Sequence, residues 1–214
     1  MGRITLVCTV HRERGLCNES ELIRILETIG PDVIFEEIRP SDFGAYYRDK
    51  SFSTLETRAV SSYLKVRPTD QVAVDDYVIP DGFRREMDSL FEYVESTDPE
   101  YRRLIAERDQ KTYRLGFRYL NSPAFEALSK RARESFEKTI ASSGSEGLKK
   151  KLWMWNDALR RRDASMIQNI YEFCRKCPFK EGAFLVGAEH ISSILEDIAS
   201  RMKTDGNLVD WKRL

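Results

Sequence analysis

Short, nearly unbroken apolar runs at both ends of the chain enclose a long middle in which apolar residues recur every three or four positions. Ile4-Thr5-Leu6-Val7-Cys8 is largely apolar without clean alternation, the pattern of a strand buried on both faces. Leu22, Ile23, Ile25, Leu26 and Ile29 then supply a helical stripe, opened by a capping Asn18 or Ser20 and closed by Gly30-Pro31. Val33-Ile34-Phe35 reads as a second strand, so this opening stretch predicts a strand–helix–strand unit with a right-handed crossover and parallel strands. Ser53 to Leu64 predicts a helix whose capping box pairs Ser53 with Glu56, and Gln71 to Val74 predicts a third strand.

Beyond Pro80 the period changes. Residues 82–177 predict helix almost throughout: Phe83 to Ser96, a second helix from Pro99 towards Tyr119, a third from Pro123 behind a capping Ser122, a flexible break over 142–147, and a long helix from Leu148 to Cys174. Ala183 to Gly187 returns to a buried strand, and Ile191, Ile194, Leu195, Ile198 and Met202 mark a terminal amphipathic helix. The pattern implies an α/β fold with a central, mostly parallel sheet flanked by helices. A single domain over 1–214 is expected, with 82–177 as a helical insertion capping the carboxyl edge of the sheet.

Charge changes the picture by exclusion. Thirty-five basic residues balance thirty-five acidic ones, whereas a nucleic-acid surface calls for a basic excess. The runs Lys149-Lys150-Lys151 and Arg160-Arg161-Arg162 have acidic residues nearby and read as solvated helix faces. No segment approaches about 18 consecutive apolar residues, the length of a membrane span. The start lacks the basic, apolar and small-residue order of a signal peptide. A cytoplasmic protein without membrane or nucleic-acid partners is expected, with its four cysteines reduced.

The candidate chemistry lies at strand ends. The chain has two histidines, and each closes a buried strand: Cys8-Thr9-Val10-His11 at the start and Gly187-Ala188-Glu189-His190 near the end. Parallel neighbours would bring both imidazoles to the carboxyl edge, where open α/β sheets place their sites. Glu36-Glu37 and Asp75-Asp76 end the second and third strands. Because neighbours on a strand point to opposite faces, one of each acidic pair is expected to enter the site.

These residues resemble the TraB/PrgY/Tiki group, which is similar to the wider erythromycin-esterase-like and ChaN-like proteins. The resemblance rests on Cys8-Thr9-Val10-His11, Glu21-Leu22, Pro31 to Glu37, Arg162-Asp163-Ala164-Ser165-Met166 and Gly187-Ala188-Glu189-His190. It covers both ends of the chain; residues 82 to 150 carry no matching motif. Cys8 stands where the group has glycine, a departure that strains the turn if φ there is positive.

What the resemblance implies is an α/β fold with a helical insertion and, for the Tiki branch, a metal-dependent peptidase. The erythromycin-esterase branch resembles a hydrolase in which histidine activates water; the PrgY branch is associated with handling a peptide. On this basis His11, Glu37 and His190 are the expected ligands of a divalent Mn, Co, Zn or Fe ion, with one position open to water. Arg162 is expected to steady an oxyanion, Glu36, Asp76 or Glu189 to shuttle a proton, Asp75 to stand nearby, and Asp163 to cap or salt-bridge locally. The expected substrate is a peptide or another amide or ester. Two alternatives stand beside it: a protein that sequesters a peptide or small ligand without turnover, and a metal-free enzyme in which His11 is a general base oriented by Glu37. Cys174-Arg175-Lys176-Cys177 falls at a helix end, which suits neither a redox pair nor a zinc site.

Overall fold

The computed structural model describes residues 2–78, 80, 82–204, 206 and 208–214. Five strands form one sheet: β1 (Gly2–Thr9), β2 (Val33–Glu36), β3 (Asp70–Ala73), β4 (Glu181–Gly187) and β5 (Val209–Arg213). Their order is β3-β2-β4-β1-β5, and every pairing is parallel. The first and fourth strands are therefore neighbours, as their histidine endings require, with Thr9 in register with Gly187. β5 was not announced by the hydrophobic pattern. Val209-Asp210-Trp211-Lys212-Arg213 is mostly polar, yet it pairs along β1 and is tied there by Arg3–Asp210 at 2.9 Å and by the Trp211 indole donating to the Tyr171 hydroxyl.

Nine α-helices are seen among the described residues: α1 (Glu19–Ile29), α2 (Phe43–Tyr47), α3 (Leu55–Leu64), α4 (Phe83–Thr97), α5 (Pro99–Leu115), α6 (Phe117–Leu120), α7 (Pro123–Ser142), α8 (Glu146–Lys176) and α9 (Ile191–Thr204). α1 is capped by Asn18 and closed by Gly30 in the left-handed region at φ 61. The expected single helix from Pro99 to Tyr119 is two, because Gly116 breaks it at φ 63; a Cβ there would stand 2.8 Å from the Leu16 carbonyl. The capping box of α3 lies one residue later than its spacing suggests. Thr54 and Thr57 cap each other, and this leaves Glu56 free to turn inward.

Among the described residues two larger apolar clusters, beside a small third one of Leu104, Leu128 and Ala132, divide the molecule. The larger gathers both faces of the sheet, including Leu6, Phe35 and Phe184, with Met166, Ile167, Ile170 and Tyr171 from the second half of α8. The smaller joins Phe83, Met87, Leu90 and Val94 of α4 to Phe136 and Ile140 of α7 and Ala158 of α8. α8, 31 residues and about 46 Å long at 1.5 Å per residue, thus belongs to both cores. Arg162 and Asp163 sit where it crosses from one to the other, between Ala158 and Met166.

The cysteines are free. Burial pushes the Cys8 and Cys17 thiols up to about 12, so both are inert packing residues. Cys8 brings no strain, because Lys50 alone among the described non-glycine residues has positive φ. Instead the Asn121 side chain continues the sheet edge, accepting from Cys8 N–H at 2.7 Å and donating to Cys8 C=O at 3.2 Å. Among the described residues no helix is long and apolar enough to cross a membrane.

Candidate active site

The carboxyl edge of the sheet assembles the expected groups. His11 follows β1, Glu37 follows β2, Asp75 follows β3 and His190 follows β4, while α8 lays Arg162 and Asp163 against them. Glu37 is the hub. Its Oε2 accepts from the Gly187 N–H at 2.7 Å, and its Oε1 lies 2.6 Å from Arg162 Nη2 and 3.4 Å from His190 Nε2. Arg162 also donates through Nε to Asp75 Oδ2 at 2.8 Å. On its far side the His190 ring contacts Asp163 Oδ1 through Nδ1 at 2.5 Å. Asp163 is 1% exposed, and the salt bridge expected of it is made to His190 and not along its own helix, so that it holds this imidazole from below.

His11 stands across Gly187 from this cluster. A Cβ on Gly187 would sit 3.2 Å from Glu37 Oε2, 3.5 Å from His190 Cδ2 and 3.8 Å from His11 Cε1. Gly187 has φ −55, which any residue adopts, so glycine is required there by close approach. His11 Nδ1 lies 3.0 Å from Glu56 Oε1, which also accepts from the Thr9 hydroxyl at 2.7 Å. The His11 carbonyl accepts from Leu55 N–H, the first amide of α3, which fixes Glu56 beside the ring.

Each acidic pair divides as strand geometry demands. Glu37 and Asp75 reach Arg162, whereas Asp76 bonds the Ser165 hydroxyl on the exposed side. Glu36 turns to the Tyr47 hydroxyl and, at 2.9 Å, to Gln71 Nε2. Glu189 is exposed and pairs with Arg108 at 2.6 Å, at the rim and away from the centre.

Burial and charge set the protonation states. Burial would lower the His190 pKa, but the carboxylates of Glu37 and Asp163 outweigh it and raise the imidazole to about 10. Burial would raise Glu37, yet His190, Arg162 and His11 hold it well below the usual carboxylate range. A hydrogen bond to Glu56 raises His11. Asp75 is raised by burial in spite of Arg162. Glu36 is pushed up by burial to about 7 against its bonds to Tyr47 and Gln71.

Glu36 therefore binds more protons folded than unfolded between 4.5 and about 7, and stability declines as pH rises through that window. Glu36→Gln removes the decline and raises unfolding free energy at pH 8 by about 1–3 kcal/mol relative to pH 5. Urea denaturation at the two pH values measures it, and an unchanged slope against wild type would reject the buried, protonating carboxyl.

No protein-family model, curated protein or solved structure matches the chain. The site is accordingly read from its own geometry.

The donor set does not suit a divalent metal. A guanidinium already lies 2.6 Å from the Glu37 oxygen that would face the ion, and it neutralises the carboxylate such an ion would need. Among the described residues no group of three or more His, Cys, Asp or Glu side chains is placed to hold a metal ion. At this site two buried carboxylate oxygens nonetheless lack an aligned hydrogen-bond donor among the described residues: Glu37 Oε1, whose contact with Arg162 is an ion pair without that alignment, and Glu56 Oε2. Both residues line a cavity of about 480 Å³, together with His11, Glu36 and Arg162. The cavity thus offers a histidine base, acceptors for polar hydrogens and the Arg162 guanidinium. Glu56 and Thr9 were not singled out by spacing; the capping signal had assigned Glu56 to the helix end.

Proposed function

We propose that this chain is a hydrolase of an amide or ester, of the TraB/Tiki-like kind, that works without a metal. The supporting observation is the meeting of two histidine–carboxylate pairs, His11–Glu56 and His190–Asp163, on either side of Gly187, with the Arg162–Glu37 ion pair between. With its Nδ1 hydrogen given to Glu56, neutral His11 has its lone pair on Nε2, which makes no protein hydrogen bond among the described residues. That nitrogen takes a proton from water as the water oxygen adds to the substrate carbonyl. The developing oxyanion is drawn towards the Arg162 guanidinium, which lines the cavity, and His11 returns the proton to the leaving nitrogen or oxygen. Glu56 is a positioning residue, replacing Glu37 in the orienting role expected for it.

In this mechanism kcat/KM rises with pH as His11 loses its proton. The limb lies above the ordinary imidazole value of 6.5, because Glu56 raises it. Glu56→Gln moves the limb to lower pH and lowers the plateau by about tenfold. The test is a panel of N-acyl amino acids, peptides and aryl esters assayed across pH, with chelator and with added Mn²⁺, Co²⁺ or Zn²⁺, beside elemental mass spectrometry of untagged protein. Turnover indifferent to chelator with the shifted limb supports the reading. Turnover that appears only with a bound transition metal overturns it in favour of metal-dependent hydrolysis, and tight ligand binding without turnover overturns it in favour of a sequestering protein.

A further inference from the structure

A second cavity, of about 300 Å³, opens beside the first and shares Arg84 and Arg162 with it. Its walls are Phe83, Met87, Phe91 and Trp155. Phe83 lies parallel to Trp155, with centroids 6.1 Å apart at 9°, and Phe91 meets the same indole edge-on at 5.1 Å and 85°. The Arg162 donors are directed to Asp75 and Glu37, so this cavity meets the apolar part of that side chain. At the lower end of the ~300–1,000 Å³ range of small-ligand sites, it suits one ring-sized group of a substrate whose remainder lies elsewhere. Aromatic walls favour an aromatic occupant, through edge-to-face and offset contacts.

The junction between the cavities is charged. Arg84 is exposed in the first turn of α4, and it makes no ion pair among the described residues, although Asp88 stands one turn along. A guanidinium unpaired among the described residues, between an aromatic box and the hydrolytic cluster, matches a carboxylate placed a few bonds from an aryl ring. We propose that the substrate is an N-acyl aromatic amino acid or a peptide ending in one, with its ring in the Phe83–Phe91–Trp155 box, its carboxylate on Arg84 and its scissile amide over Glu37 and His11. This assignment rests on the hydrolase reading for the bond cleaved, but not for the binding of ring and carboxylate. The reaction is the addition of water across the C–N bond: the acyl carbon gains oxygen, and the nitrogen leaves as the amine with the proton that His11 returns.

Two measurements separate the parts. In the first, N-acetyl-phenylalanine is compared with N-acetyl-alanine and with N-acetyl-phenylalanine amide. The free acid with the ring is expected to have the highest kcat/KM, by at least about tenfold over each, the scale on which filling an apolar pocket or satisfying a charged site discriminates. Arg84→Gln lowers the value for the acid towards that of the amide, and Ala158→Phe, which fills the box, lowers the ratio of phenylalanine to alanine substrates. In the second, 3-phenylpropionate, which has ring and carboxylate but no scissile bond, is titrated against tryptophan fluorescence beside propionate and 3-phenylpropanamide. It is expected to bind at least about tenfold tighter than either, with the signal lost in Trp155→Phe and the advantage over the amide lost in Arg84→Gln. Selective binding with no hydrolysis of any substrate would overturn the hydrolase reading and keep the pocket. Hydrolysis without ring or carboxylate preference, and without binding of 3-phenylpropionate, would overturn the pocket alone, and failure of both measurements would overturn both.

Discussion

Replacing His11 with alanine is expected to lower kcat/KM by about 10²–10⁴, the range for loss of a positioned general base, while leaving the melting temperature nearly unchanged. The two halves of this result have separate causes. The His11 side chain is 60% exposed and its one direct polar partner among the described residues is Glu56, so its removal opens no cavity in the core. Surface changes of that kind stay within about 0.5 kcal/mol. Glu56 keeps the Thr9 hydroxyl on the same oxygen, so its carboxylate is not stripped of donors. Chemistry, by contrast, loses the single ring nitrogen facing the cavity with an available lone pair. Because His11 and Glu56 act as one unit, His11→Ala combined with Glu56→Gln should be no slower than His11→Ala alone. Additive losses in that double variant, measured by steady-state kinetics with thermal melts as the folding control, would mean that Glu56 acts on the substrate directly and not through His11.

Much of this arrangement is legible in the chain because its decisive signals are local and strong. The non-alternating runs at Ile4–Cys8, Val33–Phe35 and Ala183–Gly187 are strands covered on both faces, and strands of that kind sit in the middle of a parallel sheet. With β1 and β4 adjacent, the two histidines had to meet near one edge. β5 escaped notice for the opposite reason. It is an edge strand with polar side chains, and what fixes it is long-range pairing with β1 and the packing of Trp211. Glu56 was hidden by a rival explanation. Ser53 and Glu56 have the spacing of a capping box, but Thr54 and Thr57 perform that task, and nothing in spacing discriminates two boxes offset by one residue. Asp163 was undervalued because it follows three arginines on a helix that reads as solvated. Its burial depends on α8 crossing between two cores, a tertiary fact. The aromatic box has a related history: Trp155 and Phe83 are far apart in sequence, and periodicity alone marks each as helix packing.

Asp163→Ala is expected to produce the largest loss of stability, roughly 3–5 kcal/mol, the cost of removing one partner from a buried ion pair. His190 is 7% exposed and Asp163 1%, so neither solvent nor another described side chain on that face replaces the lost carboxylate at Nδ1. The wild-type pH dependence follows from the same pair. The folded His190 pKa, about 10, lies above its unfolded value of 6.5. Its contribution is therefore fully present below about 6.5 and is lost as pH rises through 10. Glu37 has the opposite sign: its folded pKa lies below 4.5, so its contribution is present above 4.5 and declines as acid protonates it. Between these windows His190 and Glu37 are both ionised and the fold is at its most stable with respect to that pair. Asp163→Asn separates charge from packing, since the amide keeps the shape and a hydrogen-bond acceptor but removes one of the two carboxylates that raise His190. Its unfolding free energy should start below wild type at pH 6 and fall less between pH 6 and pH 10. Urea unfolding at a series of pH values gives both slopes. Equal slopes in wild type and Asp163→Asn would mean that His190 is neutral in the fold, and Arg162 would then be the sole cation bearing on Glu37 from that side.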